Sequence, residues 1–446
     1  MNRDVLCLAL LGLLASAPQA HAVPGTIDDV PAATLLLPYF EVDLDHSDGI
    51  STLFSLNNAS ATAQLAHVTV WSDWSIPVLD FDVYLTGYDV QVFNLRDILV
   101  EGLLPQTGPG TSTAANEPGS PVGPYSRPDV PFPGCNLSSN PPSPPVYSIP
   151  AISTNFQAHL QALLTGKRSP ADNTCAGVNY GDNIARGYVT VDDVNSCSLL
   201  FPSSTGYFVS GGGGIAGNDN VLWGDYTYFD AAQNFAQGET LVHIEADANV
   251  FNTPGEYTFY GRYVGGTAAD NREPLATTFA VRYLSGGGFT GGTDLIVWRD
   301  SKFPPGGSCT TGPNYGSLFE GQIAVFDETE NPFVAGSGGG PSGGPPPADI
   351  CTFCDEAQRV SVGGEQIPTD SDFGWIYLNL NNSTNRDATL GPGYTNIAQA
   401  WVTAVMDAEG RFSVGFDAIQ LDNANTAVSG GVDIPICPGA PACTGG

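Results

Sequence analysis

At residues 81–85, apolar Phe81, Val83 and Leu85 alternate with Asp82 and Tyr84. A period of two marks a half-buried strand, because successive side chains point to opposite faces of a sheet. Thr86-Gly87-Tyr88-Asp89 follows as a hairpin turn, and Val90-Gln91-Val92-Phe93 supplies the returning strand. Residues 53–58 and 65–71 are further runs rich in β-branched or aromatic side chains, bounded by Asn, Ser or Asp. Short strands at this spacing, between about residues 32 and 104, predict a sandwich.

The pattern returns between about residues 184 and 333. Phe279, Val281 and Tyr283 alternate with Thr278, Ala280 and Arg282, while residues 257–260 and 295–298 also read as strands. Gly-rich turns separate these runs at 210–217 and 285–292. Further on, residues 398–406 and 411–419 flank Asp407-Ala408-Glu409-Gly410, the strongest hairpin in the chain. Phe412, Val414 and Phe416 fall on one face there, with Ser413 and Asp417 on the other. A single helix is expected at 151–165, where Ile152, Phe156, Leu160, Leu163 and Leu164 recur at three- and four-residue steps before Gly166.

Breaks between these blocks set the organisation. Thirteen of the 35 prolines fall in residues 105–150, and proline removes a ladder donor, so this segment is a loop or linker. Residues 335–350 are a second such stretch, almost entirely Gly, Ser and Pro at their core. The expected layout is a first β-block over 23–104, the helix and second β-block over 151–334, and strands of 351–446 that complete earlier sheets. The fold class is all-β: one or two closely packed antiparallel β-sandwiches with one accessory helix and long Pro/Gly-rich loops.

Residues 1–22 add an address. Arg3 precedes an apolar stretch over residues 5–17, and Ala20-His21-Ala22 places small residues where a signal peptidase reads. The stretch is too short to span a bilayer, so cleavage near Ala22 and a secreted or periplasmic destination are expected. No later apolar run reaches membrane-spanning length. Export suits the cysteines. Apart from Cys7 there are eight: Cys135, Cys175, Cys197, Cys309, Cys351, Cys354, Cys437 and Cys443. In an oxidising compartment these are disulfide candidates. A local Cys437–Cys443 bridge and a second bridge involving Cys135, Cys175 or Cys197 are expected.

Composition excludes some partners. The net charge of −32 comes from 46 acids against only 14 bases, so the imbalance reflects missing cations. A chain without a cationic footprint does not suit nucleic acid, and anionic lipid head groups repel it.

Chemical signatures are sparse. His46, His67, His159 and His243 form no zinc-binding pair. Gly340-Pro341-Ser342-Gly343-Gly344 matches a nucleophile elbow by spacing but lies in a Gly/Pro loop, without the strand and helix such an elbow needs. The Cys351-Thr352-Phe353-Cys354 motif reads as structural in an exported chain. Asp43, Asp45 and Asp48 are calcium candidates, though their spacing is not that of an EF-hand loop. Asp182, Asp219, Asp225, Asp247, Asp270, Asp327, Glu328 and Glu330 also lie near predicted loops. Glu245 and Asp247 share a strand face, and Trp71, Trp74, Trp223, Trp298, Trp375 and Trp401 supply rings for stacking on sugars. The leading expectation is an exported, soluble, non-catalytic protein of the envelope or extracellular space, with a structural, adhesive or ligand-binding role. A cell-surface or carbohydrate ligand suits it. The alternative is a secreted polysaccharide hydrolase using paired carboxylates.

Overall fold

The computed structural model describes residues 30–62, 64–85, 87–104, 152–196, 198, 200–246, 258–264, 270–286, 290–300, 309, 322–334, 353, 355–380 and 399–421. Residues 1–22, where a signal peptide is expected, the 105–150 and 335–350 stretches, and Cys135, Cys197, Cys351, Cys354, Cys437 and Cys443 lie outside them.

The first block contributes β1 (Thr34–Asp43), β2 (Ser51–Asn58), β3 (Gln64–Ser72), β4 (Pro77–Leu85) and β5 (Val90–Asn94). Helix α1 (Thr154–Leu164) follows, started by the Ser153 hydroxyl accepting from the Phe156 N–H at 3.3 Å. It sends Leu160, Leu163 and Leu164 into the core. Next come β6 (Ile184–Asp193), β7 (Leu222–Trp223), β8 (Asp225–Asp230), β9 (Phe235–Thr240) and β10 (Val242–Ile244). After the short α2 (Gly261–Val264) the chain forms β11 (Thr278–Leu284), β12 (Gly292–Arg299), β13 (Ile323–Asp327) and β14 (Pro332–Val334). It ends in β15 (Ala357–Ser361), β16 (Phe373–Asn379), β17 (Ala400–Asp407), β18 (Ser413–Asp417) and β19 (Ile419–Gln420).

These strands build four antiparallel sheets. The first is ordered β10-β1-β6-β3-β4, the second β5-β2-β8-β9, the third β15-β12-β17-β18 and the fourth β14-β13-β16-β11-β19. The predicted hairpin forms as β17 and β18, with Ala404 opposite Phe416 and Met406 opposite Val414. Residues 258–260, expected as part of a strand, instead lead through a turn into α2. Their aromatic rings fill space instead of pairing. Phe259 stacks on Trp298 at 5.3 Å, and the Tyr260 hydroxyl donates to Asp192 at 3.0 Å.

The third sheet is apolar on both faces. Leu295 and Val297 of β12, with Val402 and Ala404 of β17, pack into a core shared with the fourth sheet. Ile296, Trp298, Trp401 and Val405 point the other way, into the core of the first and second sheets. The second and third sheets meet edge to edge, where Ser413 Oγ donates to the Ala236 carbonyl at 2.6 Å and Asn234 Nδ2 to that of Gly410 at 2.7 Å. The molecule is therefore layered around one doubly buried sheet.

A chain of charges ties the layers. Glu41 of β1 faces Arg186 Nε at 3.4 Å and Arg359 Nη1 of β15 at 3.0 Å, and Arg359 Nε reaches Asp294 of β12 at 2.6 Å. The Cys175–Cys309 disulfide joins positions 134 residues apart. Cys175, one of the three cysteines expected to supply a second bridge, takes its partner from beyond β12.

Because the third sheet serves both cores, Trp401→Ala is expected to destabilise the whole molecule by about 3–5 kcal/mol. Urea unfolding followed by far-UV circular dichroism and by tryptophan emission should shift together as one transition. Two separated transitions in the variant would contradict the shared layer.

Candidate ligand-binding groove

The fourth sheet presents an unusual outer face. Its inner side chains, Phe279, Val281, Tyr283, Ile323, Val325, Ile376 and Leu378, fill the second core. The alternate positions along β16 are Phe373, Trp375 and Tyr377, so an aromatic row runs along the strand at steps of roughly 6.8 Å. Arg282 of β11 and Phe326 of β13 are the register partners of Trp375 on either side. Trp375 and Phe326 stack with ring centroids 4.2 Å apart and planes 8° apart. Gly374 permits this approach, since a Cβ there would lie 1.8 Å from the Phe326 carbonyl oxygen.

Phe373 and Trp375 of this row floor a groove of about 490 Å³, while Tyr377 is buried against Ala324 and Phe326. One wall is the β13–β14 turn with Asp327, Glu328 and Glu330; the other carries Arg282 and Leu284, with Met406 and Phe416 contributed by the third sheet. Phe373 is 46% exposed at its end. The Arg282 guanidinium lies 6.0 Å from the centre of the Phe416 ring.

Asp327 organises the acidic turn. Its carboxylate accepts from the Asn331 side-chain amide and backbone N–H, each at 2.9 Å, and from the Thr329 N–H at 2.8 Å and hydroxyl at 2.9 Å. These donors, the Asn331 side chain foremost, hold the Asp327 carboxyl down at about 2. Glu328 and Glu330 are exposed beside it. Glu330 adopts φ of 65°, the left-handed conformation that reverses the chain.

The acids expected to bind calcium sit elsewhere, in the β1–β2 turn. Asp43 Oδ1 accepts from the N–H groups of Asp45 at 2.8 Å and His46 at 3.0 Å, while Oδ2 faces His46 Nδ1 at 3.0 Å. Burial pushes the Asp43 carboxyl up, but the His46 and Asp45 donors outweigh it and hold it below its ordinary value. Asp45 accepts from the Asn183 side chain at 2.7 Å, and the Asp48 carbonyl accepts from the Ala232 N–H at 2.9 Å. Among the described residues no group of three or more His, Cys, Asp or Glu is arranged to hold a metal ion. Glu245 is described but its expected partner Asp247 is not, and Gly340 to Gly344 also fall outside the described residues.

Of the six tryptophans, Trp71, Trp74, Trp298 and Trp401 are buried. Trp223 is half-buried, edge-on to His243, and only Trp375 lines the groove. The residues that make the groove were visible in the sequence as an alternating strand, a tryptophan and a run of loop acids. Their convergence depends on β16 inserting between β11 and β13. No protein family model matches the chain, and neither a curated protein nor a solved structure matches it.

Carboxyls with raised pKa values lie away from the groove. Asp73 is buried, and burial followed by the charge of Asp355 drives its pKa well up. Burial pushes Asp355 up to about 6, Asp270 to about 6 and Asp193 to about 7. Buried His67 lies between Asp82 at 2.8 Å and Asp80 at 3.6 Å. Desolvation opposes its charge, yet the Asp82 hydrogen bond and both carboxylates raise its pKa on balance.

The sign of these shifts sets a pH dependence. A group whose folded pKa is raised binds its proton more tightly in the folded state. Its stabilisation is complete below the unfolded value, about 4 for Asp, and is lost as pH rises through the folded value. The melting temperature is therefore expected to fall between about pH 4 and about pH 8. Asp193→Asn should make that slope shallower through the upper part of the range, as scanning calorimetry would record. A melting temperature that is flat or rising over this range would refute the assignment.

Proposed function

We propose that this chain is an exported, non-catalytic carbohydrate-binding protein of the cell envelope or extracellular space. The aromatic row in the groove carries the reading. Phe373 and Trp375 offer flat apolar rings at a regular step, and hydrogen-bonding side chains flank them on both sides: Arg282 on one, Glu328 and Glu330 on the other. A sugar ring has an apolar C–H face and a polar rim, and this arrangement meets both. The extended geometry of β16 suits a linear polymer more than a single sugar.

The N-terminal pattern and the Cys175–Cys309 bridge support an oxidising compartment. Hydrolysis receives less support from the same groove. A glycosidase needs one carboxyl still protonated and a second facing it across the scissile bond. Here the three acids share one wall, and Asp327 is held ionised.

Trp375→Ala is expected to lower retention on insoluble polysaccharide by about tenfold, the loss of one good stacking contact. The comparison is a pull-down series over chemically distinct polysaccharides, with the melting temperature measured in parallel. Binding unchanged in a folded variant would remove the groove from consideration.

A further inference from the structure

We infer that the groove selects glycans bearing free amines, a polymer of amino sugars in its cationic form, over neutral or acidic polysaccharides. This rests on the reading of the groove as a carbohydrate site and adds the chemistry that chooses among carbohydrates.

The observation is the unequal charge of the two walls. Three carboxylates line the groove against one guanidinium. Asp327 is engaged by Asn331 and Thr329, so its role is to fold the turn that brings Glu328 and Glu330 to the rim. Arg282 stands on the opposite wall, with its guanidinium 6.0 Å from the centre of the Phe416 ring. Glu328 and Glu330 therefore remain as two exposed carboxylates beside the aromatic row. A neutral sugar stacked on Trp375 gains only hydrogen bonds from them, whereas an ammonium on the sugar ring gains charge-assisted ones. An acidic glycan meets the opposite field, strengthened by a protein carrying −32 overall.

That overall charge also attracts cations without any site, so the test must separate the two. Binding of a glucosamine hexamer and of its fully N-acetylated counterpart is measured by calorimetry on the full chain, in mildly acidic buffer of low salt. The expected result is a preference of about 3- to 10-fold for the amine form, the range two exposed ion pairs supply. Glu328→Gln with Glu330→Gln should abolish that preference while leaving the acetylated hexamer unaffected. Glu101→Gln with Asp225→Asn makes the same charge change at exposed positions outside the groove and should retain it.

Equal affinity for both hexamers would overturn amine selection and leave carbohydrate binding standing. Binding of neither would overturn the amine inference, and the pull-down series over other polysaccharides would then decide the carbohydrate reading separately. Equal loss in the distant pair would show a diffuse charge effect and overturn the inference. Oligolysine binding as tightly as the amine hexamer, and equally dependent on Trp375, would assign the groove to basic peptides instead.

Discussion

A sheet with two apolar faces must be covered on both, and the third sheet is the element that imposes this on the molecule. Trp401 and Val402 are neighbours in sequence yet belong to different cores, because the pleat sends them to opposite sides. Neither core can close without β12 and β17. The first and second sheets need Ile296, Trp298 and Trp401, while the fourth needs Leu295, Val297 and Val402. The edge of β9 then meets the edge of β18 through Ser413, and Gly415 leaves room for Gln237, whose amide nitrogen would lie 1.8 Å from a Cβ there. Layering follows from burial, and the position of the groove follows from layering.

The shortage of cations has a structural counterpart in where those few are placed. Arg272 and Arg299 are essentially buried. Arg272 donates to Thr34, Asn218 and the carbonyls of Asp270 and Gly217, and Arg299 donates to the carbonyls of Leu380 and Phe353. Arg186 and Arg359 bracket Glu41 between layers. Guanidinium suits these positions because its five donors can satisfy several carbonyls that converge from different segments. Cations committed to the interior are unavailable to neutralise surface carboxylates. The acidic rim of the groove is thus the outer side of the same allocation.

Local periodicity marked strands more surely than their partners. Phe81, Val83 and Leu85 marked β4, but Asp82 on its other face is buried as well. Strand β5 pairs with β2 instead of returning along β4 as the expected hairpin. The alternation of Phe279, Val281 and Tyr283 with Arg282 identified β11 and its faces correctly. The helix was legible too, trimmed to Thr154–Leu164 where Ser153 caps it. The double burial of Ala400–Asp407 was not legible, because a continuous apolar run carries no period to say which face meets which core. The Cys175–Cys309 bridge and the β12–β17 ladder join distant segments, and spacing along the chain does not encode such pairings. At 257–260 the composition was strand-like, but the rings of Phe259 and Tyr260 pack as a plug and need no ladder. The groove shares this limit. Its acids, its tryptophan and its arginine were each visible singly, and only the order β13-β16-β11 brings them to one place.

The proposed binding role requires rings that cannot fold away in the ligand's absence. Trp375 meets that requirement through its neighbours in space and in sequence. Phe326 backs one face of the indole, and β16 is paired on both edges, by β11 and β13. Ile376, the next residue, is fully buried in the second core. Tyr283 crosses beneath, its hydroxyl donating to the Phe326 carbonyl at 3.2 Å and pairing with Thr369 at 2.9 Å. Displacing the indole would therefore disturb the core that the third sheet closes from the other side. The stiffness of the groove is borrowed from the doubly buried sheet, although no residue of β12 or β15 reaches it.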